Sequence, residues 1–217
     1  MKVINLGEHS SILNSIAAQL RDSEIQKDRA KFRNNLTRIG SIFGYEISKT
    51  LSHSEISVKT PLGEARLDVP TDRIVVATIL RAGLPLHQGV LSCFDNADSA
   101  FVAASRAYGK DQDIEVFSNY CAVQPLEGKT LILADTMLAT GSSLLDAIRF
   151  LKEKGGEPAG LHLVCPFASA KAVENLQNNL SDEVTLWVAS IDPELNFKYY
   201  IVPGLGDAGD LCFGEKI

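Results

Sequence analysis

The residues best suited to chemistry sit at four places in the chain. Asp135 follows a short apolar run (Thr130, Leu131, Ile132, Leu133, Ala134), and the small, hydroxylic residues Ala139, Thr140, Gly141, Ser142 and Ser143 lie just beyond it. Arg81, Ala82 and Gly83 follow a second apolar run, and Arg106 follows a third. Residues 199–214 read YYIVPGLGDAGDLCFG, with four glycines, a proline and two acids. A small-residue loop between a buried strand and a helix suits a sugar phosphate, because backbone N–H groups and the helix N-terminus both favour an anion. Asp135, at the strand's carboxyl end, is placed to accept hydrogen bonds from sugar hydroxyls. The same pattern also fits an ordinary turn with a serine N-cap. Two guanidinium groups beside such a loop would suit a polyanion, since each stays charged and donates in a fork. Taken alone, Arg81 fits a surface charge equally well, while Ala82 and Gly83 favour close approach of a ligand. The glycine-rich end reads as a structured binding loop in preference to a loose tail. Backbone groups at Gly206, Asp207 and Ala208 suit the edge of a flat heterocycle, and a wrong base would leave them unpaired.

These residues need a scaffold, and the spacing of apolar residues predicts one. Ile12, Leu13, Ile16, Ala17 and Leu20 predict a helix from Ser10 or Ser11, and Phe32, Leu36, Ile39 and Phe43 a second from about Ser23, with Gly44 near its end. Lys27, Arg29, Lys31 and Arg33 lie mostly off that stripe and read as a solvated face, with a place near an anionic ligand or subunit interface as the minority reading. Residues 55–69 predict a β-hairpin around Pro61, Leu62 and Gly63. Residues 74–80 predict a strand buried on both faces, followed by a helix through Leu86, Val90 and Leu91. Residues 99–104 predict a strand, 108–112 a mobile polar loop, and Ile114, Val116 and 120–123 a returning hairpin strand. A helix from the central loop to about Lys154, a strand at 161–165, a helix at 169–180 and a strand at 184–188 complete the alternation. This order predicts an α/β fold: a central, mostly parallel sheet flanked by helices, with ligands at the strands' carboxyl ends.

At 217 residues and 45% hydrophobic content, the chain is long enough for one domain, with a core at about 70–190 and an elaboration built from 191–217 and the N-terminal elements. The charge, 21 basic against 27 acidic residues, is −6, which argues against general nucleic-acid binding. Cys93, Cys121, Cys165 and Cys212 show no C-x-x-C pairing, and His9, His53, His87 and His162 show no ligand spacing with one another or with cysteine. His162 reads as structural; His87 lies near the Arg81 loop. Neither an apolar leader at MKVINLGEHS nor a membrane-length apolar run is evident, so the expectation is a soluble cytoplasmic protein.

The string TLILADTMLATGSSLL resembles the phosphoribosyl-pyrophosphate (PRPP) motif of the phosphoribosyltransferases. Together with LRAGL at 80–84, ASID at 189–192, KFRNNLTRIGSIFGYE near the N-terminus and IVPGLGDAGDLCFG at 201–214, it resembles the uracil phosphoribosyltransferase family nearly end to end. The resemblance implies the type I phosphoribosyltransferase fold with an N-terminal helical segment, a β-hairpin and a C-terminal base-binding hood. It implies transfer of a phosphoribosyl group from PRPP to uracil, giving UMP and diphosphate in pyrimidine salvage. Arg81 and Asp135 would be the catalytic residues. Arg81, Ala82, Gly83, Arg106, Asp135, Thr136, Met137, Leu138, Ala139, Thr140, Gly141, Ser142, Ser143 and Asp207 would hold PRPP. Tyr200, Ile201, Gly206, Asp207 and Ala208 would hold uracil.

Mg²⁺ is implied as the cofactor, carried mainly by PRPP and water with no dedicated protein cage. A homodimer or larger homo-oligomer is implied, and GTP activates some members. The sequence departs from the family's usual pattern at Thr136, where proline is usual, and at Ser142, where a second glycine is common. It departs again at Pro85, Leu86, His87 and Gln88, and at Ala107, Tyr108 and Gly109 after Arg106. Two rival readings use the same fold: an RNA-binding regulator, against which the net charge and lack of a basic stripe count, and an enzyme for another base.

Overall fold

In the computed structural model of the protein, the backbone is described for residues 1–108 and 114–216 and the side chains for 1–103 and 120–216. The chain opens with strand β1 (Lys2–Asn5), which the sequence reading did not anticipate. Four residues carry too little periodicity to announce a strand; β1 exists because it pairs in parallel with a strand some 180 positions later, Lys2 opposite Thr185. The sheet core therefore extends beyond 70–190 to the N-terminus.

Helix α1 (Ile12–Arg21) starts where expected, its N-cap Ser11 accepting from the Leu13 N–H while Asn14 accepts from the Ser11 N–H. Helix α2 (Arg29–Ser48) starts later than Ser23. Asp22 accepts from the Glu24 and Ile25 N–H groups and a short 3-10 turn (Ile25–Lys27) intervenes, before Asp28 caps α2 through the Lys31 N–H. Gly44 is near the end of α2, as expected. That glycine lies within the helix, where a Cβ would sit 2.7 Å from Cys93 Sγ.

Strands β2 (His53–Thr60) and β3 (Gly63–Pro70) form the expected hairpin. Next come β4 (Ile74–Leu80), helix α3 (Leu84–Leu91), β5 (Asp98–Tyr108) and β6 (Ile114–Ala122), the last antiparallel to β5. The polar segment read as a loop over 108–112 lies, from residue 109 onward, outside the described residues. Strand β7 (Thr130–Ala134) leads through β8 (Met137–Leu138) into helix α4 (Ser142–Gly155). Strand β9 (Gly160–Val164) leads through β10 (Phe167–Ser169) into α5 (Ala170–Asn179), and β11 (Thr185–Val188) into β12 (Ser190–Asp192). Strands β13 (Glu194–Leu195) and β14 (Ile201–Val202) form a small antiparallel pair, and helix α6 (Ala208–Phe213) follows.

Among the described residues the main sheet has seven strands in the order β1-β11-β9-β7-β4-β5-β6, parallel except for the β5–β6 pair. Alternation divides the core. Val75, Ala77, Ile79, Leu131 and Leu133 pack with Leu144, Ile148, Leu151 and Leu176 on one face. Val76, Ile132 and Ala134 pack with Phe32, Leu36, Ile39, Phe43 and Leu86 on the other. Beyond their carboxyl ends β7, β9 and β11 break and resume as a second parallel sheet, β12-β10-β8. No described helix is long and apolar enough to cross a membrane.

Close packing of α2 on α3 supports the loop after β4. A Cβ on Gly40 would collide with the Leu86 carbonyl oxygen, and one on Gly89 with that of Thr37. The hydroxyls of Thr37 and Ser41 donate across the same contact to the Pro85 and Gly89 carbonyls at 3.1 and 3.2 Å. Gly89→Ala should therefore cost about 1–3 kcal/mol of stability through overpacking, read as a lower urea midpoint; an unchanged midpoint would show that the helices can separate freely.

Candidate active site

Three of the sequence-singled loops meet above the main sheet. Thr78 in β4 donates its hydroxyl to the Ala134 carbonyl at 3.0 Å, binding the last residues of β4 and β7 together. One step further on, Thr136 donates to the Ala82 carbonyl at 2.8 Å, and its N–H donates to Asp135 Oδ1 at 2.7 Å. Thr136 is fully buried, so its side chain joins the two loops and does not face a ligand. The sequence departure from proline thus has a structural role: a proline could make neither bond. Leu138 points into the core, while Met137 packs partly against the opposite apolar cluster.

The small-residue loop is held from behind. Ser169 Oγ donates to the Ala139 carbonyl at 2.6 Å and Asn175 Nδ2 to the Thr140 carbonyl at 2.8 Å. A trans peptide points its N–H opposite its C=O, so turning these two carbonyls toward α5 turns the Thr140 and Gly141 N–H groups the other way. Helix α4 begins from Gly141 (φ +84°) with no side-chain N-cap bond, unlike the serine-capped turn that the local sequence also allowed. The Ser142 N–H makes only a long 3.5 Å bond to Thr140 Oγ1, so the start of the helix still suits an anion.

Arg81 links this region to the C-terminal segment. Its Nη2 donates to Asp210 Oδ1 at 3.1 Å and to the Gly214 carbonyl at 3.3 Å, and its Nε is buried without a protein partner. A Cβ on Gly209 would lie 3.2 Å from Asp207 Oδ1 and 3.7 Å from Arg81 Nη2, so all three residues border one small space. Asp207 is the N-cap of α6, accepting from the Asp210 N–H at 3.0 Å. Ala208 and Ile201 are buried, and Tyr200, preceding Ile201 in the chain, is exposed. Arg106 lies on β5, but its side chain is outside the described residues.

Several groups have no catalytic placement. His87 is buried under the sheet, its Nε2 3.0 Å from the Val76 carbonyl and its ring against Phe101. Burial pulls its pKa down, favouring the neutral ring, against the Val76 carbonyl bond that pulls it up. His162 accepts from Trp187 Nε1 at 3.2 Å, a structural role as expected. Burial pushes the Cys212 thiol up to about 12, which removes it as a thiolate nucleophile at neutral pH.

Two residues escaped the sequence reading. Arg21 at the end of α1 and Asp192 at the end of β12 form a bidentate pair at 2.7 and 2.8 Å, and both bond to Gly204. Burial pulls the Asp192 carboxyl upward, but the Arg21 guanidinium, the Ser190 hydroxyl and the Gly204 N–H outweigh it and hold the group below the usual carboxylate range. Asp192 lies within the ASID string, but nothing local marks Arg21 as its partner across 171 positions. Of the basic run on α2, Arg33 is no free surface charge: its Nη1 donates to the Cys212 carbonyl of α6 at 2.7 Å.

The family profile described as uracil phosphoribosyltransferase matches residues 8–215. The chain belongs to the uracil phosphoribosyltransferase family. A uracil phosphoribosyltransferase of Porphyromonas gingivalis is 46% identical over 217 residues, all of both chains. Among solved structures, the AQ2163 protein of Aquifex aeolicus superposes with a TM-score of 0.85 at 28% identity, over 99% of each chain. A hypoxanthine phosphoribosyltransferase of Staphylococcus aureus shares the fold alone, with a TM-score of 0.51 at 15% identity over 75% of this chain and 76% of its own. The architecture is the type I phosphoribosyltransferase fold, and the three meeting loops stand at its strand ends.

Within this family member the Thr136 tie is directly testable. Thr136→Val keeps the shape and leaves the Ala82 carbonyl without its partner, at a cost of about 1–3 kcal/mol in chemical denaturation. No loss of stability would mean that the two loops hold their places independently.

Proposed function

We propose that the protein transfers the 5-phosphoribosyl group of PRPP to uracil, forming UMP and diphosphate in pyrimidine salvage. The observation that carries this reading is the seating of the C-terminal hood on Arg81, which joins a segment suited to a flat base to a loop suited to diphosphate. Family membership supplies the identity of base and donor.

In this reading the 5-phosphate lies on the backbone N–H groups of Ala139, Thr140, Gly141, Ser142 and Ser143, with Met137 and Leu138 contributing through their backbone and Thr136 holding the loop in place through its bonds to Asp135 and Ala82. Asp135 accepts from the ribose hydroxyls. Arg81 holds the diphosphate with the Ala82 and Gly83 backbone, assisted by Arg106, and Asp207 also reaches PRPP. The uracil edge pairs with backbone groups of Ile201, Gly206, Asp207 and Ala208, beside Tyr200. The C1–oxygen bond breaks with its electron pair leaving on diphosphate, the N1–C1 bond forms on the opposite face, and the N1 proton is released. The protein's own work is to align the two reactants and to meet the leaving charge with Arg81 and loop N–H groups.

Mg²⁺, when bound with PRPP, supplies further neutralisation of the diphosphate. Among the described residues no three His, Cys, Asp or Glu side chains gather into a cage. Asp207 already caps α6 and Asp210 already pairs with Arg81, a donor set that fits a cation held chiefly by substrate oxygens and water. We place the reaction in the cytoplasm, and GTP belongs in the assay as an effector used by some family members.

Purified protein with Mg²⁺ and PRPP should form nucleotide from uracil, and not from cytosine, hypoxanthine or orotate supplied separately. Product from another base, or from none with and without GTP, would overturn the assignment. Asp135→Asn should lower kcat/KM by about tenfold or more with the denaturation midpoint preserved, because ribose alignment is lost; unchanged kinetics would remove Asp135 from the site.

We also infer a homodimer or larger homo-oligomer. The β2–β3 hairpin exposes both faces, including the cross-strand pair Ile56 and Leu67, and a ribbon so uncovered is marginal in water. Sedimentation should show a dimer or larger species, shifted toward monomer by Ile56→Lys with Leu67→Lys; a monomeric parent protein would contradict this.

A further inference from the structure

The segment that would read the base has few side chains with which to hold its shape. Residues 203–206 are Pro203, Gly204, Leu205 and Gly206, and of these only Leu205 packs into the apolar core. Gly204 adopts φ +53°, and a Cβ there would collide with the Ile201 carbonyl oxygen. Backbone this bare must be fixed by polar bonds.

The Gln26 side-chain amide donates to the Leu205 carbonyl at 3.0 Å, and the bonds to Gly204 come from one ion pair. Arg21 Nη1 donates to Asp192 Oδ2 at 2.8 Å and to the Gly204 carbonyl at 2.9 Å. Arg21 Nη2 donates to Asp192 Oδ1 at 2.7 Å and to Ser190 Oγ at 2.8 Å, while Ser190 donates to Asp192 Oδ1 at 3.0 Å. Asp192 Oδ2 also accepts from the Gly204 N–H at 3.0 Å. The guanidinium lies over the Phe167 ring, 4.8 Å from its centroid. Both polar groups of Gly204 are thus gripped by the two halves of the pair, three residues after Ile201 and two before Gly206.

A partly buried ion pair is often no more stabilising than apolar packing of the same volume, because desolvation offsets the attraction. What this pair supplies is geometry: the planar Arg fork and the carboxylate together fix the position and tilt of one peptide residue. We infer that Arg21 and Asp192 are positioning residues for base recognition, setting uracil selectivity through the 201–208 backbone without touching the base. This rests on the uracil reading proposed above.

The test compares Arg21→Ala, Arg21→Lys and Asp192→Asn with the parent protein. It measures KM and kcat for uracil, the ratio of uracil to cytosine use, and PRPP binding in the absence of base. The clamp predicts that kcat/KM for uracil falls by about tenfold or more in each variant while PRPP affinity stays within about twofold, since a small misplacement of a reading group is enough. Added guanidinium ion should restore part of the uracil efficiency of Arg21→Ala, and lysine should not substitute for the fork.

Equal loss of uracil use and PRPP binding would make the pair a general element of the fold and overturn the inference. So would a fall in melting temperature with unchanged uracil kinetics. Failure of the parent protein itself to make UMP would instead refute the underlying function.

Discussion

Strands β4, β5, β7, β9 and β11 run parallel, so all five finish at one edge of the sheet, and the loops that leave them emerge side by side. Residues as distant in sequence as Arg81 and Asp135 become neighbours through this constraint. Short polar bonds then set the spacing between the loops: Thr78 to the Ala134 carbonyl, and Thr136 to the Ala82 carbonyl. Both hydroxyls are buried, where an unmade bond costs more than an exposed one. The loops are therefore fixed by the strands beneath them before any ligand arrives.

The C-terminal hood solves a different problem. It contributes Ile201, Leu205, Ala208 and Cys212 to the buried interior, too little to define its path alone. Three cationic groups from elsewhere in the chain complete the attachment: Arg21 to Gly204, Arg33 to the Cys212 carbonyl, and Arg81 to Asp210 and the Gly214 carbonyl. Two of the three lie on the N-terminal helices, which explains in physical terms why those helices accompany the core. They are the framework on which the hood is hung, and α1 and α2 also cover one face of the sheet.

The main alternation was legible in the sequence because its signals are local. The apolar run at 74–80 gave β4, the small-residue run at 139–143 marked the turn into α4, and the alternation at 55–69 gave the hairpin. Features that depend on distant partners were not legible. β1 exists only through β11, and the β8-β10-β12 sheet forms where three separate strands break and resume in parallel. Gly44 lies in the last turns of α2 and also admits the neighbouring Cys93, and in sequence a glycine that ends a helix and one that admits a neighbour look alike. The site loops were marked by residue type, but Arg21 was not, since an arginine at a helix end is ordinary until its carboxylate is located. Thr136 looked like a small departure and is a structural tie.

A crystal structure of the protein with UMP bound tests the account most directly. It should place the 5-phosphate against the N–H groups of residues 139–143, the ribose hydroxyls on Asp135, and the uracil edge on the backbone of Ile201 and residues 206–208, with Gly204 still held by Arg21 and Asp192. A nucleotide bound with its base outside the hood, or its phosphate away from the α4 N-terminus, would contradict it.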